Sequence, residues 1–222
     1  MCLLAICDTK PMPKEYFDKS FSSNSDGFGF AWVKDELTNY VKGMMKVEEA
    51  WKIYKAWIKE EAIFPHVVHF RCGKPTIPEL THPFEVSKLS PLSLATKTKN
   101  EVLFHNGGVT AWRDRMFEMF TLSKEIPEGP IIDTRVMAIL YFHYGKRIFN
   151  FIDGKFVSIG PKSLNVFGEF KEDDGVRYSN DSYKPPKYNH TKDRGEWKYN
   201  QEMFNAYADI DSLDKAIDEF IV

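Results

Sequence analysis

The chain is 222 residues long, which fits one domain of ordinary size with or without a short tail. Apolar residues make up 43% and charged residues 28%, with 18 Phe, 10 Tyr and 5 Trp to fill a core, and the formal net charge is −2. That balance excludes a broad basic field for nucleic acid, and the basic residues are interleaved with acids rather than clustered. No apolar run approaches the ~20 residues that cross a bilayer, so no membrane partner is expected. The opening MCLLAIC has no basic stretch before it and meets Asp8 and Lys10 too soon for a signal peptide, so it belongs to the fold. Cys2, Cys7 and Cys72 form no CxxC pair, which suits the reduced thiols of a cytoplasmic protein.

In chain order, residues 2–7 are a continuous apolar run that predicts a strand buried on both faces. A turn or short helix follows around 13–21. Residues 26–33 (DGFGFAWV) predict a second strand entered through Asp-Gly, with 37–42 pairing back onto it. Val47, Ala50, Trp51, Tyr54 and Ile58 recur at helical spacing within 47–61. HVVHFR (66–71) alternates as a strand does, and the Pro-bearing TIPELTHPF (76–84) reads as an irregular loop. A strand over 101–105 runs into Asn106-Gly107-Gly108, and 112–122 reads as a helix. Asp133 stands where it could cap the helix TRVMAILYFHY, which Gly145 closes. RIFNFIDGKFVSI (147–159) has the pattern of a hairpin around Asp-Gly, and LNVFGEF and VRYSN add strands. The chain turns polar from about 181 to 200 and closes on an amphipathic helix over roughly 211–220. No internal repeat is found. Strands, then a helical block, then strands again predict α+β layers on antiparallel sheet.

Four features bear on chemistry. Cys2 directly follows Met1, and removal of Met1 would join a thiol and a free α-amine in one residue. An α-amine of pKa ~7.7–8.0 can take the proton of a thiol of pKa ~8.5. The alternative is a small hydrophobe at a strand start. Arg71 closes its strand, where it could grip a carboxylate bidentately or make a surface ion pair. In His105-Asn106-Gly107, an Asn amide and a Gly N–H could converge on one oxyanion, although Asn-Gly is also a common hairpin turn. Asp133-Thr134 reads as a helix cap whose carboxylate could also meet an ammonium group.

Together and in this order, these features resemble the class II glutamine amidotransferases, which are N-terminal-nucleophile hydrolases. Cys2 matches the family's opening cysteine and NSDGFGFAW (24–32) its Asp-x-x-Gly strand entry. HFRCGKPT with THPF (69–84) is similar to its arginine loop and His-Pro pair, FHNGGV (104–109) to its His-Asn-Gly turn, and IDTRVMA (132–138) to its acidic helix start. The resemblance implies a four-layer αββα sandwich, a glutaminase domain over 1–180, and 181–222 packed on that domain as a polar stretch and terminal helix. It implies Cys2 as nucleophile, Asn106 and Gly107 as oxyanion holders, Arg71 and Asp133 on the substrate's α-carboxylate and α-ammonium, and Thr76 and His82 in the substrate loop.

The sequence departs from that pattern in two places. Leu3 and Leu4 follow the cysteine where many members carry Gly, and Cys72-Gly73-Lys74-Pro75 follows the arginine, displacing the binding threonine to Thr76. Cys7 and Cys72 read as inert, although Cys72 sits beside Arg71, and Ser179-Asn180 reads as structural. His66, His69, His143 and His190 lack metal-ligand spacing, and no phosphate loop is found, so neither metal nor cofactor is implied. The residues after the Asp133 helix are too few for a synthase domain, so ammonia would pass from glutamine to a separate acceptor enzyme. The alternatives are an amidohydrolase of another amide, or a degenerate member kept as a binding protein.

Overall fold

In a computed structural model that describes residues 1–185, the opening apolar run is strand β1 (Leu3–Cys7), buried at all five positions. Side chains of a strand alternate between its faces, so a run apolar throughout needs cover on both. Leu3, Ala5 and Cys7 join one apolar cluster, while Leu4 and Ile6 join another. Helix α1 (Lys14–Ser23) and strands β2 (Phe28–Lys34) and β3 (Leu37–Met44) follow. Helix α2 (Val47–Glu60) then leads to β4 (His66–Phe70). The chain continues through short β5 (Phe84–Glu85), β6 (Ala95–Thr98) and β7 (Val102–Asn106). Helices α3 (Trp112–Ser123) and α4 (Asp133–Tyr144) precede β8 (Lys155–Gly160), β9 (Ser163–Phe167), β10 (Lys171–Asp173) and β11 (Val176–Tyr178).

Two sheets result, a seven-stranded one in the order β10-β11-β1-β4-β2-β3-β6 and a four-stranded one in the order β5-β7-β8-β9. Every pairing is antiparallel. Leu4, Ile6, Ala31 and Val67 of the large sheet meet Val102, Phe104, Val157 and Ile159 of the small one, forming the inner core. On the far side of the large sheet, Phe17 and Phe21 of α1 and Ala50, Tyr54 and Trp57 of α2 cover Leu3, Phe28, Phe30 and Phe70. Met119 of α3 and Val136–Leu140 of α4 cover Phe84, Leu103 and Phe156 of the small sheet. The layers therefore run helix, sheet, sheet, helix, as the four-layer expectation has it. Each fully buried large apolar side chain contributes about 1.5–3 kcal/mol, so the three clusters carry the stability.

Two local expectations are corrected. Residues 147–159 are not a hairpin: Lys146–Phe151 winds as a 3-10 helix, and β8 pairs with β7 and β9 instead. Ile148 and Phe149 are buried against the α4 layer, an apolar pair that a tight turn satisfies as well as a strand does. Asp133 does not cap α4, whose cap position is Ile132; Asp133 is the first helical residue, and its Oδ1 accepts from the Thr134 N–H at 2.7 Å. Its charge still favours the positive end of the helix dipole. The loop expected at 76–84 contains one 3-10 turn, Pro78–Leu80, and ends in β5. Residues 186–222, which hold most of the polar stretch and the whole terminal helix read from sequence, lie outside the described residues.

The ends that matter are tied together by side chains. Ser179, just after β11, donates its N–H to the Leu4 carbonyl and accepts the Leu4 N–H on Oγ, both at 2.9 Å. The same Oγ lies 2.8 Å from Asn106 Nδ2 at the end of β7. One serine thus pins the start of β1 in the large sheet to the end of β7 in the small one.

Candidate active site

The start of β1, the ends of β4 and β7 and the start of α4 meet around a cleft of about 300 Å³. Cys2, Arg71, Cys72, Gly73 and Lys74 line it together with His82, His105, Gly107, Asp133 and Thr134. Ile132, Trp112 and Arg113 complete the lining. Cys2, Arg71, His82, Gly107 and Asp133 thus reach one space from distant parts of the sequence. Asn106 and Thr76 do not line it.

Cys2 precedes β1 and is half-buried, and its carbonyl accepts from Asn180 Nδ2 at 2.7 Å. Its Sγ accepts the Cys72 N–H at 3.3 Å. Burial pushes the thiol's pKa up; the Cys72 N–H and the positive charge of Arg71 act against that shift. Met1 is 80% exposed.

Arg71 extends from the last residue of β4 and is only 4% exposed. Its N–H donates to the Gly27 carbonyl at 2.8 Å, and its own carbonyl accepts from the Asp26 N–H at 2.9 Å, continuing the ladder past the strand end. Its guanidinium donates to the Gly73 carbonyl. Asp26 then fixes the loop that follows: Oδ2 accepts the Gly73 N–H at 2.8 Å and Oδ1 the Thr76 hydroxyl at 3.1 Å. Thr76 is exposed and serves as this anchor, with Lys74 Nζ also donating to it at 3.0 Å.

Thr134 is held between two buried imidazoles of the lining, with a third packed against them. Its Oγ1 lies 3.0 Å from His82 Nε2 and 3.2 Å from His105 Nδ1. His69 Nε2 lies 3.0 Å from the His105 carbonyl, and its ring sits 3.9 Å from that of His82. Burial holds His69 down at about 3 and His105 at about 4, and drives His82 well below its usual range. Neutral imidazoles each offer one donor and one acceptor, which suits a shared hydroxyl. Asp133 Oδ2 stands 3.8 Å from His105 Nδ1, and its side chain remains 24% exposed toward the cleft.

Gly107 has φ +141°, a region that side-chain-bearing residues rarely enter. A Cβ there would lie 3.2 Å from His105 Nε2. Asn106 is buried, with Nδ2 on Ser179 and Oδ1 without a partner among the described residues. Its amide is therefore turned toward Ser179 rather than into the cleft.

Sequence reasoning singled out neither Trp112, Arg113 and Lys74 in the lining nor the loop-anchoring role of Asp26. Asp26 stood in the Asp-x-x-Gly segment, but a carboxylate that organises a distant loop leaves no local pattern. Cys72, read as inert, lines the cleft, whereas Cys7 is buried with its thiol pushed up to about 12. No group of His, Cys, Asp or Glu among the described residues is placed to hold a metal ion, and no helix among them is long and apolar enough to cross a membrane.

No protein-family model and no curated protein sequence matches the chain. Solved structures do. Glutamine phosphoribosylpyrophosphate amidotransferase from B. subtilis, complexed with ADP and GMP, superposes with a TM-score of 0.53 at 14% identity, over 80% of this chain and 41% of that one. A structure described as the allosteric regulatory enzyme of purine biosynthesis gives 0.52 at 16% identity, again over 80% and 41%. The chain thus spans about two fifths of these larger proteins. The αββα layering and these likenesses together show that the chain shares the fold of those structures over four fifths of its length.

Proposed function

We propose that the chain hydrolyses the side-chain amide of glutamine, with Cys2 as nucleophile once Met1 is removed, and hands the ammonia to a separate synthase in the cytoplasm. The observation that supports this most is the convergence of Cys2, Arg71, Gly107 and Asp133 on one cleft. A cation and an anion flanking a thiol match a free amino acid, whose α-carboxylate and α-ammonium need opposite partners.

In this reading the Cys2 α-amine accepts the thiol proton and the thiolate attacks the glutamine side-chain carbonyl carbon. The C–N bond then breaks as the amine returns that proton to the leaving nitrogen, releasing ammonia and leaving a thioester. Water, deprotonated by the same amine, cleaves the thioester to glutamate and restores the thiol. Arg71, whose guanidinium is already oriented by Gly73, takes the α-carboxylate; Asp133, oriented by Thr134, takes the α-ammonium. Gly107 offers its N–H to the developing oxyanion. Asn106 joins it by turning its amide from Ser179, whose hydroxyl can then donate to Oδ1 in place of accepting from Nδ2. His82 shapes the floor, and Thr76 acts through the loop rather than on the substrate.

The test is ammonia and glutamate release from glutamine by the pure protein, with intact mass confirming loss of Met1. Slow turnover, abolished in Cys2→Ser and accelerated by a copurifying acceptor protein, is the expected result. Fast turnover indifferent to any partner removes the acceptor from the proposal. A methionine-bearing chain that is fully active removes the α-amine base, and hydrolysis of a different amide with none of glutamine removes the substrate.

A further inference from the structure

Cys72 lines the cleft, and the proposed reaction leaves its thiol unused. Continuing the β1–β4 register one step past Leu3 and Phe70 sets Cys2 opposite Arg71, with Cys72 the next residue along. Cys2 Sγ already rests on the Cys72 main chain, 3.3 Å from its nitrogen and 3.5 Å from its carbonyl oxygen. Cys72 itself is exposed and both residues line the cleft, while Cys7 is buried at the other end of β1. A disulfide joins two sulfurs directly, and the contact of Cys2 Sγ with the Cys72 main chain sets the two residues side by side in the cleft lining.

We propose that Cys2 and Cys72 form a reversible disulfide under peroxide, a modification that withdraws the thiol at the mouth of the cleft. Hydrogen peroxide first meets the exposed Cys72 thiol, transferring one oxygen to give a sulfenic acid and one water. Cys2 Sγ then attacks the Cys72 sulfur, the S–O bond breaks, and a second water leaves with the Cys2 thiol proton. The two thiols lose two hydrogens and two electrons in total, and the peroxide is reduced. A dithiol reductant reverses the bond. The residues that follow Cys72 are held independently of it, by Asp26 at Gly73 and Thr76.

The inference concerns thiol pairing, so it holds or fails whether or not glutamine is the substrate. The protein is treated with hydrogen peroxide, blocked, and mapped by mass spectrometry without reduction. The expected result is a linked pair of peptides carrying Cys2 and Cys72, two hydrogens lighter than the separate peptides, recovered as free thiols after dithiothreitol, with Cys7 reduced throughout. Cys72→Ser should yield no crosslink at Cys2, and circular dichroism verifies that it is folded. Conversion of Cys72 to sulfinic or sulfonic acid with Cys2 still free, or dimers linked through Cys72, overturns the proposal. Where glutaminase activity is present, its loss should track the crosslink and return with reductant. Crosslinked protein that keeps its full turnover shows that Cys2 is not the nucleophile, while the disulfide itself stands.

Discussion

At Gly107 the backbone has a conformation that only glycine enters without strain, φ +141°, in the turn that follows β7. His105 Nε2 would stand 3.2 Å from any Cβ, and the His105 ring is held by stacking on Phe156 at 4.3 Å, so it cannot move aside cheaply. Gly107→Ala is therefore expected to cost about 1–3 kcal/mol of stability through backbone strain alone. In the proposed reaction it should also lower kcat more than it raises KM, because there the displaced N–H would serve an oxyanion present only in the transition state. Thermal unfolding and steady-state kinetics on one preparation check both; an unchanged melting temperature removes the strain argument. The residue's type was legible, since Asn-Gly marks a turn. Its partner was not, because His105 faces Gly107 only through the curl of the chain. Gly29 teaches the same lesson: a Cβ there would lie 2.1 Å from the His82 carbonyl, a contact that no local pattern announces.

The loop after β4 carries the second expectation. Asp26 holds it at two points, and its carboxylate charge strengthens both hydrogen bonds. A hydrogen bond to a charged group contributes about 1.5–3 kcal/mol. Asp26→Ala frees Gly73 and Thr76, and with Gly73 the carbonyl that orients Arg71. If glutamine is the substrate, as proposed, its KM is expected to rise about tenfold, equivalent to about 1.4 kcal/mol, with kcat little changed. A lower melting temperature with KM unmoved would restrict Asp26 to folding. Strands β1, β2, β4 and β7 and helix α2 were legible because buried strands and an amphipathic helix write their periods into the sequence. β6 was not, since its ATKT faces solvent and pairs only with β3 at the sheet edge. The 3-10 helix at Lys146–Phe151 was misread because an apolar run before Asp-Gly has the look of a hairpin arm, whereas the neighbouring pair Ile148 and Phe149 is buried equally well by a tight helix.

At the scale of the whole molecule, four imidazoles among the described residues are kept neutral by burial. His66 lies beneath α2, 2.7 Å from Tyr54 Oη, and burial lowers it to about 4. His69, His82 and His105 stand together at the cleft, with His82 and His105 in its lining, and are likewise lowered, His69 to about 3 and His105 to about 4. An unfolded histidine takes up a proton near pH 6.5, whereas these cannot until the pH is far lower. Between about pH 6.5 and 4 the unfolded chain therefore binds more protons than the folded one, and stability falls as pH falls through that window. Above about pH 6.5 both states carry neutral imidazoles and these groups add no slope. Denaturant midpoints measured from pH 8 to 4.5 should hold level down to about 6.5 and then drop with each step. His69→Gln, which removes one of the three clustered rings, should flatten that drop even though it lowers stability at pH 8. A midpoint constant down to pH 5, or a slope unaltered in that variant, would mean that these rings take up protons in the folded state. Their burial could not then be what ties the cleft to the core, because the layers would have to open to water at mild acidity while the chain stayed folded.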